Sequence, residues 1–291
     1  MSVPITIPTS DDFVPQGSVD FAWLSRAWAF FTAQPGVWVG TFLLYFLISM
    51  TVWMLWAIPT GTLAELQQVF QSAFGHSGIP TGPPKNPYWE FVQSRVLVLI
   101  LEVVNAVLFG GIYRMALQQN RGERISALGL FSALPQAVPL LLVGVSLTLV
   151  VQLVEGACLG LLRGTGLPAP VAAQIAGLSG TVPTIILEAL LMFAPLLIVD
   201  RNLSAPEAIV GSLRLLRGQW IKAIFFYFVA SLVGGLGALL CGVGLLVTYP
   251  VFLISVALGY MALMEPPPAL VSPYSAPQEG VWPPPPTSTG Q

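Results

Sequence analysis

Long apolar runs divide this chain, and the longest lies near its C-terminal end. Residues 223–264 contain no Asp, Glu, Lys, Arg or His. Because a membrane helix needs about 20 apolar residues to cross the hydrocarbon core, this run is long enough for two crossings. Clustered glycines between residues 234 and 244 predict a tight turn at residues 241–244. Both ends of this hairpin are then expected on one side of the bilayer.

Four further apolar runs precede this hairpin, so the pattern predicts six crossings. They cover residues 37–58, 92–113, 136–156, 181–199, 221–240 and 245–264. The largest loop, residues 59–91, is predicted to hold a short helix at residues 63–74. Residues 1–17 and the Pro-rich residues 265–291 are predicted to be disordered, and no cleavable signal peptide is expected. The expected organisation is a transmembrane domain at residues 18–264 between two disordered ends.

Amphipathic stretches precede the first, third and fifth crossings. They lie at residues 18–31, 125–134 and 200–220. In the first, Phe21, Leu24 and Trp28 recur at helical spacing, and Ser18 is the predicted N-cap. Each stretch is expected to lie along the membrane interface.

Residues 200–220 show the clearest amphipathic pattern and are predicted to form one interfacial helix. Ser204 and Glu207 have the spacing of a capping box, in which each side chain bonds the backbone of the other residue. The predicted apolar face carries Ile209, Leu213, Leu216 and Trp220, whereas Glu207, Arg214 and Arg217 lie away from it.

Composition supports the membrane assignment. Charged residues make up 8% of the chain, against about 25% in soluble domains, and mean hydropathy is +0.80. So few charges could not cover a soluble surface, whereas lipid solvates apolar helix faces. The fold class is therefore predicted to be all-α integral membrane, with the lipid bilayer as a partner. The net charge of -2 and the lack of a basic arm argue against nucleic acid binding.

The distribution of the 11 Lys and Arg residues predicts the orientation. With six crossings, both termini share a side, and most of the basic residues fall on it. The positive-inside rule then places both termini in the cytoplasm. The residues on that side are Arg26, Arg114, Arg121, Arg124, Arg201, Arg214, Arg217 and Lys222, and those on the other are Lys85, Arg95 and Arg163.

Weak internal similarity suggests three units, each an interfacial stretch followed by a helical hairpin. Trp38 is followed seven residues later by Tyr45, as Trp220 is by Tyr227. The sequence GIYRMAL at residues 111–117 also resembles GYMAL at residues 259–263. Chance similarity between apolar segments is the alternative explanation, because they draw on few residue types.

Polar residues inside the crossings are the candidate functional residues. By residue count, Glu102 and Glu188 lie at similar depth in the outer half of the membrane. A charged carboxylate there costs several kcal/mol unless it is paired, protonated or hydrated. The set can serve a cation or proton path or a solute cavity, or it can simply bond helices together. Its members are Glu102, Asn105, Gln152, Glu155 and Glu188.

Other features carry less information. Cys158 and Cys241 could pair in an oxidising compartment, but two buried free thiols are favoured. The glycines at 36 and 40, and at 156, 160 and 164, have the spacing of close helix contacts, within the chain or in a dimer. With one His and no recognisable nucleotide motif, no catalytic residues, metal site or cofactor are predicted, and the protein is not expected to be an enzyme.

One segment resembles a known group. PLLIVDRNLSAPEAIVGSLRLLRGQWIKA at residues 195–223, followed by GLLVTYPVFLISVALGYMAL at residues 244–263, resembles uncharacterised bacterial multi-pass membrane proteins. It is also similar to the membrane domain fused to some glycerophosphodiester phosphodiesterases. The resemblance implies a six-helix fold in a bacterial inner membrane. It does not imply phosphodiesterase activity, because no such catalytic domain is present in the sequence.

Two functions remain open at this point. A membrane scaffold or assembly protein, meeting a partner through the Pro-rich tail, is favoured because no discontinuous crossing is evident in the sequence. The alternative is a small-solute transporter or proton-coupled channel that uses the intramembrane glutamates.

Overall fold

A computed structural model describes residues 17–60, 87–167, 169–239 and 242–264. Residues 1–16, the predicted helix at 63–74, Cys241 and the tail at 265–291 lie outside the described residues. Helices in the described part are α1 (Ala22–Ala33), α2 (Pro35–Thr60), α3 (Pro87–Asn120), α4 (Ala137–Arg163), α5 (Ala169–Leu191), α6 (Ala194–Arg201), α7 (Ala205–Leu215), α8 (Trp220–Leu236) and α9 (Leu245–Met264).

Six segments of the described residues are long and apolar enough to span a membrane, so the protein is an all-α multi-pass membrane protein. This confirms the predicted fold class. The segments are Pro35–Ile58, Val96–Asn120, Ala127–Leu162, Gln174–Arg201, Trp220–Leu239 and Leu245–Met264.

The second crossing extends further than predicted, because α3 continues through Arg114 instead of ending before it. The guanidinium of Arg114 donates to the backbone carbonyl of Ser132 at 2.5 Å and to that of Val199 at 3.2 Å. These carbonyls take the place of water around the charge. A cation that looked like a loop residue in the sequence is therefore part of the packed helix.

The fourth crossing is interrupted, whereas the sequence predicted one continuous helix. Two turn residues, Met192 and Phe193, separate α5 from α6. Pro195 follows the break, and its ring nitrogen has no N–H to donate to the preceding turn. The hydroxyl of Ser212 donates to the backbone carbonyl of Leu190 at 2.7 Å, which satisfies one carbonyl beside the break.

None of the three predicted amphipathic stretches forms a single α-helix over its whole predicted length. Helix α1 begins at Ala22, so Ser18 is not its N-cap; the carboxylate of Asp20 accepts from the backbone N–H of Ala22 at 2.9 Å instead. The second stretch forms 3₁₀ turns at Ala127–Phe131 and Leu134–Gln136. The third is not one helix over 200–220, because Asn202 adopts a left-handed φ of 54° and ends α6.

Each of these stretches packs on the second helix of a neighbouring hairpin; for the first stretch, this is the last hairpin of the chain. Helix α1 contacts α9, the 3₁₀ turn at Ala127–Phe131 contacts α3, and α7 contacts α6. Glycines permit the first two approaches. A side chain at Gly259 would meet the ring of Trp23, and one at Gly111 would meet the backbone of Leu130. The three hairpins therefore close into a ring of similar contacts.

Within each hairpin the second helix is the more buried. From the first to the second helix, the share of buried residues rises from 17% to 28% in the first hairpin, from 11% to 44% in the second, and from 28% to 61% in the third.

The second helices of the three hairpins, which we call the inner segments, meet at one end of the bundle. There Asp200 accepts from Tyr260 at 2.8 Å and pairs with Arg121 at 2.5 Å. We call this the Arg-rich end.

The glycines predicted from spacing make few close contacts within the described chain. Side chains added at Gly36, Gly156 or Gly160 would meet no described atom within 4 Å, and one at Gly40 would meet only the Cβ of Ala127, at 4.0 Å, so the dimer alternative stays a prediction. Close approaches occur at Gly111 and Gly259, the glycines that begin the two similar sequences GIYRMAL and GYMAL. Cys158 is a half-buried free thiol.

Candidate functional site

A cavity of about 420 Å³ lies between the second and third hairpins and α3. It follows α3 from Val98 to Tyr113, which is about 22 Å at the helical rise of 1.5 Å per residue. The cavity therefore runs through most of a hydrocarbon core of about 30 Å. Its polar lining consists of Glu102, Tyr113, Thr148, Gln152, Glu155, Thr184, Glu188, Tyr227 and Tyr249.

Glu102 and Glu188 face this cavity from α3 and α5. The carboxylate of Glu188 accepts from the hydroxyl of Tyr227 at 3.2 Å, and the side chain of Glu102 lies beside Thr148. The two carboxylates are close enough to repel each other electrostatically. A side chain at Gly144 would occupy the space that the Glu102 carboxylate takes, so this glycine creates the niche for the acid.

Glu155 and Gln152 line the same cavity at a second level, further from the Arg-rich end. The side chain of Glu155 packs against the backbone at Gly180, which repeats the pairing of Glu102 with Gly144. Seven residues of α4 separate Thr148 from Glu155, and eight residues of α5 separate Gly180 from Glu188. The two acidic levels are thus roughly 10–12 Å apart along the helices.

Gln152 lies one helical turn from Glu155, and its amide nitrogen is buried. No hydrogen-bond partner for this nitrogen exists among the described residues. A buried amide without a partner costs about 1–3 kcal/mol. The cavity therefore contains a polar group that a bound molecule could satisfy.

Asn105 does not share this site, although the sequence predicted that it would lie on the face of Glu102. Its side-chain oxygen accepts from the hydroxyl of Tyr45 at 3.0 Å. Three residues along a helix correspond to about 300°, so the two side chains diverge by about 60°. That angle is enough to turn Asn105 towards α2, where it bonds two helices together.

Among the described residues of the cavity wall, there is no Lys, Arg or His to balance Glu102 and Glu188. The titratable groups of the wall are Glu102, Glu155, Glu188, Tyr113, Tyr227 and Tyr249. A carboxylate at membrane depth is stabilised when it is paired, holds a proton or binds a cation.

The break in the fourth crossing belongs to this cavity. Leu191, Met192 and Pro195, on either side of the break, line its wall. The break is short: Phe193 keeps near-helical backbone angles, and its carbonyl accepts from the N–H of Leu197 at 2.9 Å. A proline kink of this kind can act as a hinge. The kink and the acidic residues therefore border the same cavity.

The sequence analysis missed the three tyrosines of the lining. Tyr113 belongs to a stripe on α3 that also contains Glu102, Ala106 and Phe109, at spacings of four, three and four residues. This helical periodicity was present in the sequence and could have identified one face of the cavity. Tyr227 and Tyr249 come from another hairpin, so only the tertiary packing reveals them.

The predicted interfacial helix residues lie away from the cavity. Glu207 accepts from the backbone N–H of Ser204 at 2.9 Å and from its hydroxyl at 2.6 Å, and the predicted capping box is present. These two hydrogen bonds lower the pKa of Glu207. Arg214 and Arg217 are exposed, as predicted.

The four residues of the predicted apolar face differ in burial. Leu216 is buried and Ile209 half-buried, whereas Leu213 is exposed and Trp220, which belongs to α8, is 53% exposed. The contacts of α7 with neighbouring helices are made largely by small residues. The buried residues are Ala205, Ala208, Gly211, Ser212 and Leu215.

Within the described residues, no group of three or more His, Cys, Asp or Glu side chains is placed to hold a metal ion. Comparisons with protein-family models, curated proteins and solved structures gave no match for this chain. The resemblance drawn from residues 195–223 therefore stays a prediction.

Proposed function

We propose that this membrane protein is a small-solute transporter that binds a cation in the cavity between Glu102 and Glu188. The observation that carries the proposal is the pair of carboxylates, Glu102 and Glu188, in one cavity whose described residues include no Lys, Arg or His, beside an interrupted crossing. Two such carboxylates hold a proton when the cavity is empty. A monovalent cation that binds displaces one proton, and this exchange couples solute to proton movement.

The scaffold function favoured by the sequence rested on the lack of a discontinuous crossing. The break at Met192 and Phe193 removes that reason. The Pro-rich tail lies outside the described residues, so a protein partner there stays a prediction. The location in a bacterial inner membrane with both termini in the cytoplasm is likewise part of this proposal, supported by the clustering of basic residues at the Arg-rich end.

Carbodiimide labelling of the full-length chain in liposomes tests the proposal. The reagent modifies protonated carboxyl groups that it can reach, and mass spectrometry reads each site. We expect Glu102 and Glu188 to be labelled at neutral pH, and tetramethylammonium, a cation that cannot form an amide with an activated carboxyl group, to protect both. Exposed Glu123 is the matched control, since tetramethylammonium should not protect it. If neither cavity glutamate is labelled at any pH, or tetramethylammonium gives no protection, the transport proposal is wrong.

A further inference from the structure

Aromatic rings form part of the wall of the cavity that holds Glu102 and Glu188. They come from α3, α8 and α9, whereas the described lining residues of α4 and α5 include no aromatic side chain. The rings of the lining are those of Phe109, Tyr113, Tyr227, Tyr249 and Phe252.

Four of these rings contact one another in a continuous series, which we call the aromatic arc. Ring centroids are 5.4 Å apart for Tyr227 and Phe252, 5.7 Å for Phe252 and Tyr249, and 6.0 Å for Tyr249 and Phe109. The angles between successive ring planes are 76°, 46° and 45°. Because each ring is tilted against the next, the arc is a curved aromatic wall and not a flat stack.

The aromatic arc connects the surroundings of the two acids. At one end, the hydroxyl of Tyr227 donates to the carboxylate of Glu188 at 3.2 Å. At the other end, Phe109 lies seven residues after Glu102 on α3, so the two residues are about two helical turns apart on the lining face. Ring faces carry the negative part of the aromatic quadrupole. Carboxylates and ring faces therefore attract a cation to the same cavity.

Ring faces distinguish between classes of cation. A metal ion or a primary ammonium ion needs oxygen acceptors in place of the water that it loses on binding, and a ring face supplies no oxygen. A quaternary ammonium ion has no N–H group, and its charge is spread over methyl groups that gain free energy by leaving water. Aromatic walls are suited to such ions, because ring faces attract the charge and cover the methyl groups.

We propose that the cation bound in this cavity is a quaternary ammonium group, with its methyl groups against the aromatic arc and its charge balanced by Glu102 and Glu188. This inference rests on the proposed transport function and specifies the class of its solute. The cavity volume of about 420 Å³ lies within the range of small-molecule sites, about 300–1,000 Å³.

Calorimetric titration of the full-length chain in nanodiscs at neutral pH tests the class of cation. The probes are methylammonium, dimethylammonium, trimethylammonium and tetramethylammonium, which carry the same charge but progressively fewer N–H groups. We expect affinity to rise along this series. Tetramethylammonium should bind at least ten-fold more tightly than methylammonium, a difference of about 1.4 kcal/mol.

Variants of Tyr249 test the aromatic arc itself, because this ring lies between Phe109 and Phe252 in the series. Tyr249→Leu removes the ring and should weaken tetramethylammonium by five-fold or more, with a smaller effect on methylammonium. Tyr249→Phe keeps the ring and should restore the preference for tetramethylammonium. Phe228→Leu, at an exposed position of α8, is the matched control and should weaken neither cation.

The outcomes separate this inference from the transport proposal. If methylammonium binds at least as tightly as tetramethylammonium, or Tyr249→Leu weakens both cations equally or neither of them, the quaternary ammonium inference is wrong while the cation site stands. If tetramethylammonium does not protect Glu102 and Glu188 from carbodiimide, both proposals are wrong. The methylation series and the labelling use the unaltered chain, so they decide the question even if a variant fails to fold.

Discussion

The contact between α3 and the 3₁₀ turn at Ala127–Phe131 makes a sharp prediction at Gly111. A methyl group added there would lie 2.5 Å from the carbonyl carbon of Leu130 and 2.9 Å from its Cα, where ordinary contact begins near 3.4 Å. The obstacle is backbone, which cannot rotate aside as a side chain can. The carbonyl oxygen of Leu130 is closer still, so Gly111→Ala forces the two elements apart by more than the roughly 0.9 Å that the carbonyl carbon alone requires. Overpacking of this kind costs about 1–3 kcal/mol.

The matched control is Gly156→Ala in α4. Both glycines are inside helices, but an added methyl group at Gly156 meets no atom within 4 Å. Each substitution gains up to about 1 kcal/mol from the higher helix propensity of alanine. The difference in free energy of unfolding between the two variants cancels this gain and isolates the packing cost. We expect Gly111→Ala to be less stable by about 1–3 kcal/mol.

Reversible unfolding of the full-length chain in mixed micelles, followed by tryptophan fluorescence while the fraction of denaturing detergent rises, measures this difference. The separation should also lengthen the hydrogen bond from Arg114 to the carbonyl of Ser132, which joins the same two elements. Equal stability of the two variants, or greater stability of Gly111→Ala, would refute the packing argument.

Two further predictions concern the polar contacts. The pKa of Glu207 is lowered in the folded state, so its cap stabilises the protein above the unfolded pKa of about 4.3 and this contribution is lost as pH falls through the folded value. Ser204→Ala should therefore reduce thermal stability at neutral pH and have less effect near pH 3, as measured by melting curves at both pH values; an equal loss at both would contradict this. Tyr45→Phe should lower the free energy of unfolding by about 0.6 kcal/mol through loss of its bond to Asn105 without changing carbodiimide labelling of Glu102. Altered labelling would mean that Asn105 is coupled to the cavity.

The sequence predicted the crossings well because lipid imposes a simple rule: about 20 apolar residues per span. Its errors cluster where a polar group is satisfied by a distant backbone atom. Arg114 looked like a loop residue, yet the carbonyls that solvate it belong to Ser132 and Val199. Those partners lie 18 and 85 residues away, beyond any local pattern.

In the candidate site, too, some residues could be identified from the sequence and others only from the folded structure. Burial of a carboxylate at membrane depth is unusual in itself, so Glu102, Glu155 and Glu188 could be selected from the sequence, and all of them line the cavity. Asn105 was expected to share the face of Glu102 but bonds Tyr45 on another helix, because a turn of about 60° on the helix surface decides which neighbour a side chain meets. The three tyrosines of the lining come from three helices that converge only in the folded chain.

The position of the cavity follows from the one inner segment that is broken. Helices α3 and α9 are continuous inner helices and pack against each other. The third inner segment changes its main neighbours at the break: α5 packs mainly on α4 and α8, and α6 mainly on α3 and α7, while α4 and α7 contact both parts. The space left where α5 diverges from α3 is bounded by Leu191, Met192 and Pro195, and it is there that Glu102 and Glu188 face each other. A motion about this break would change the shape of the acidic site directly, which a transporter requires and a static scaffold does not.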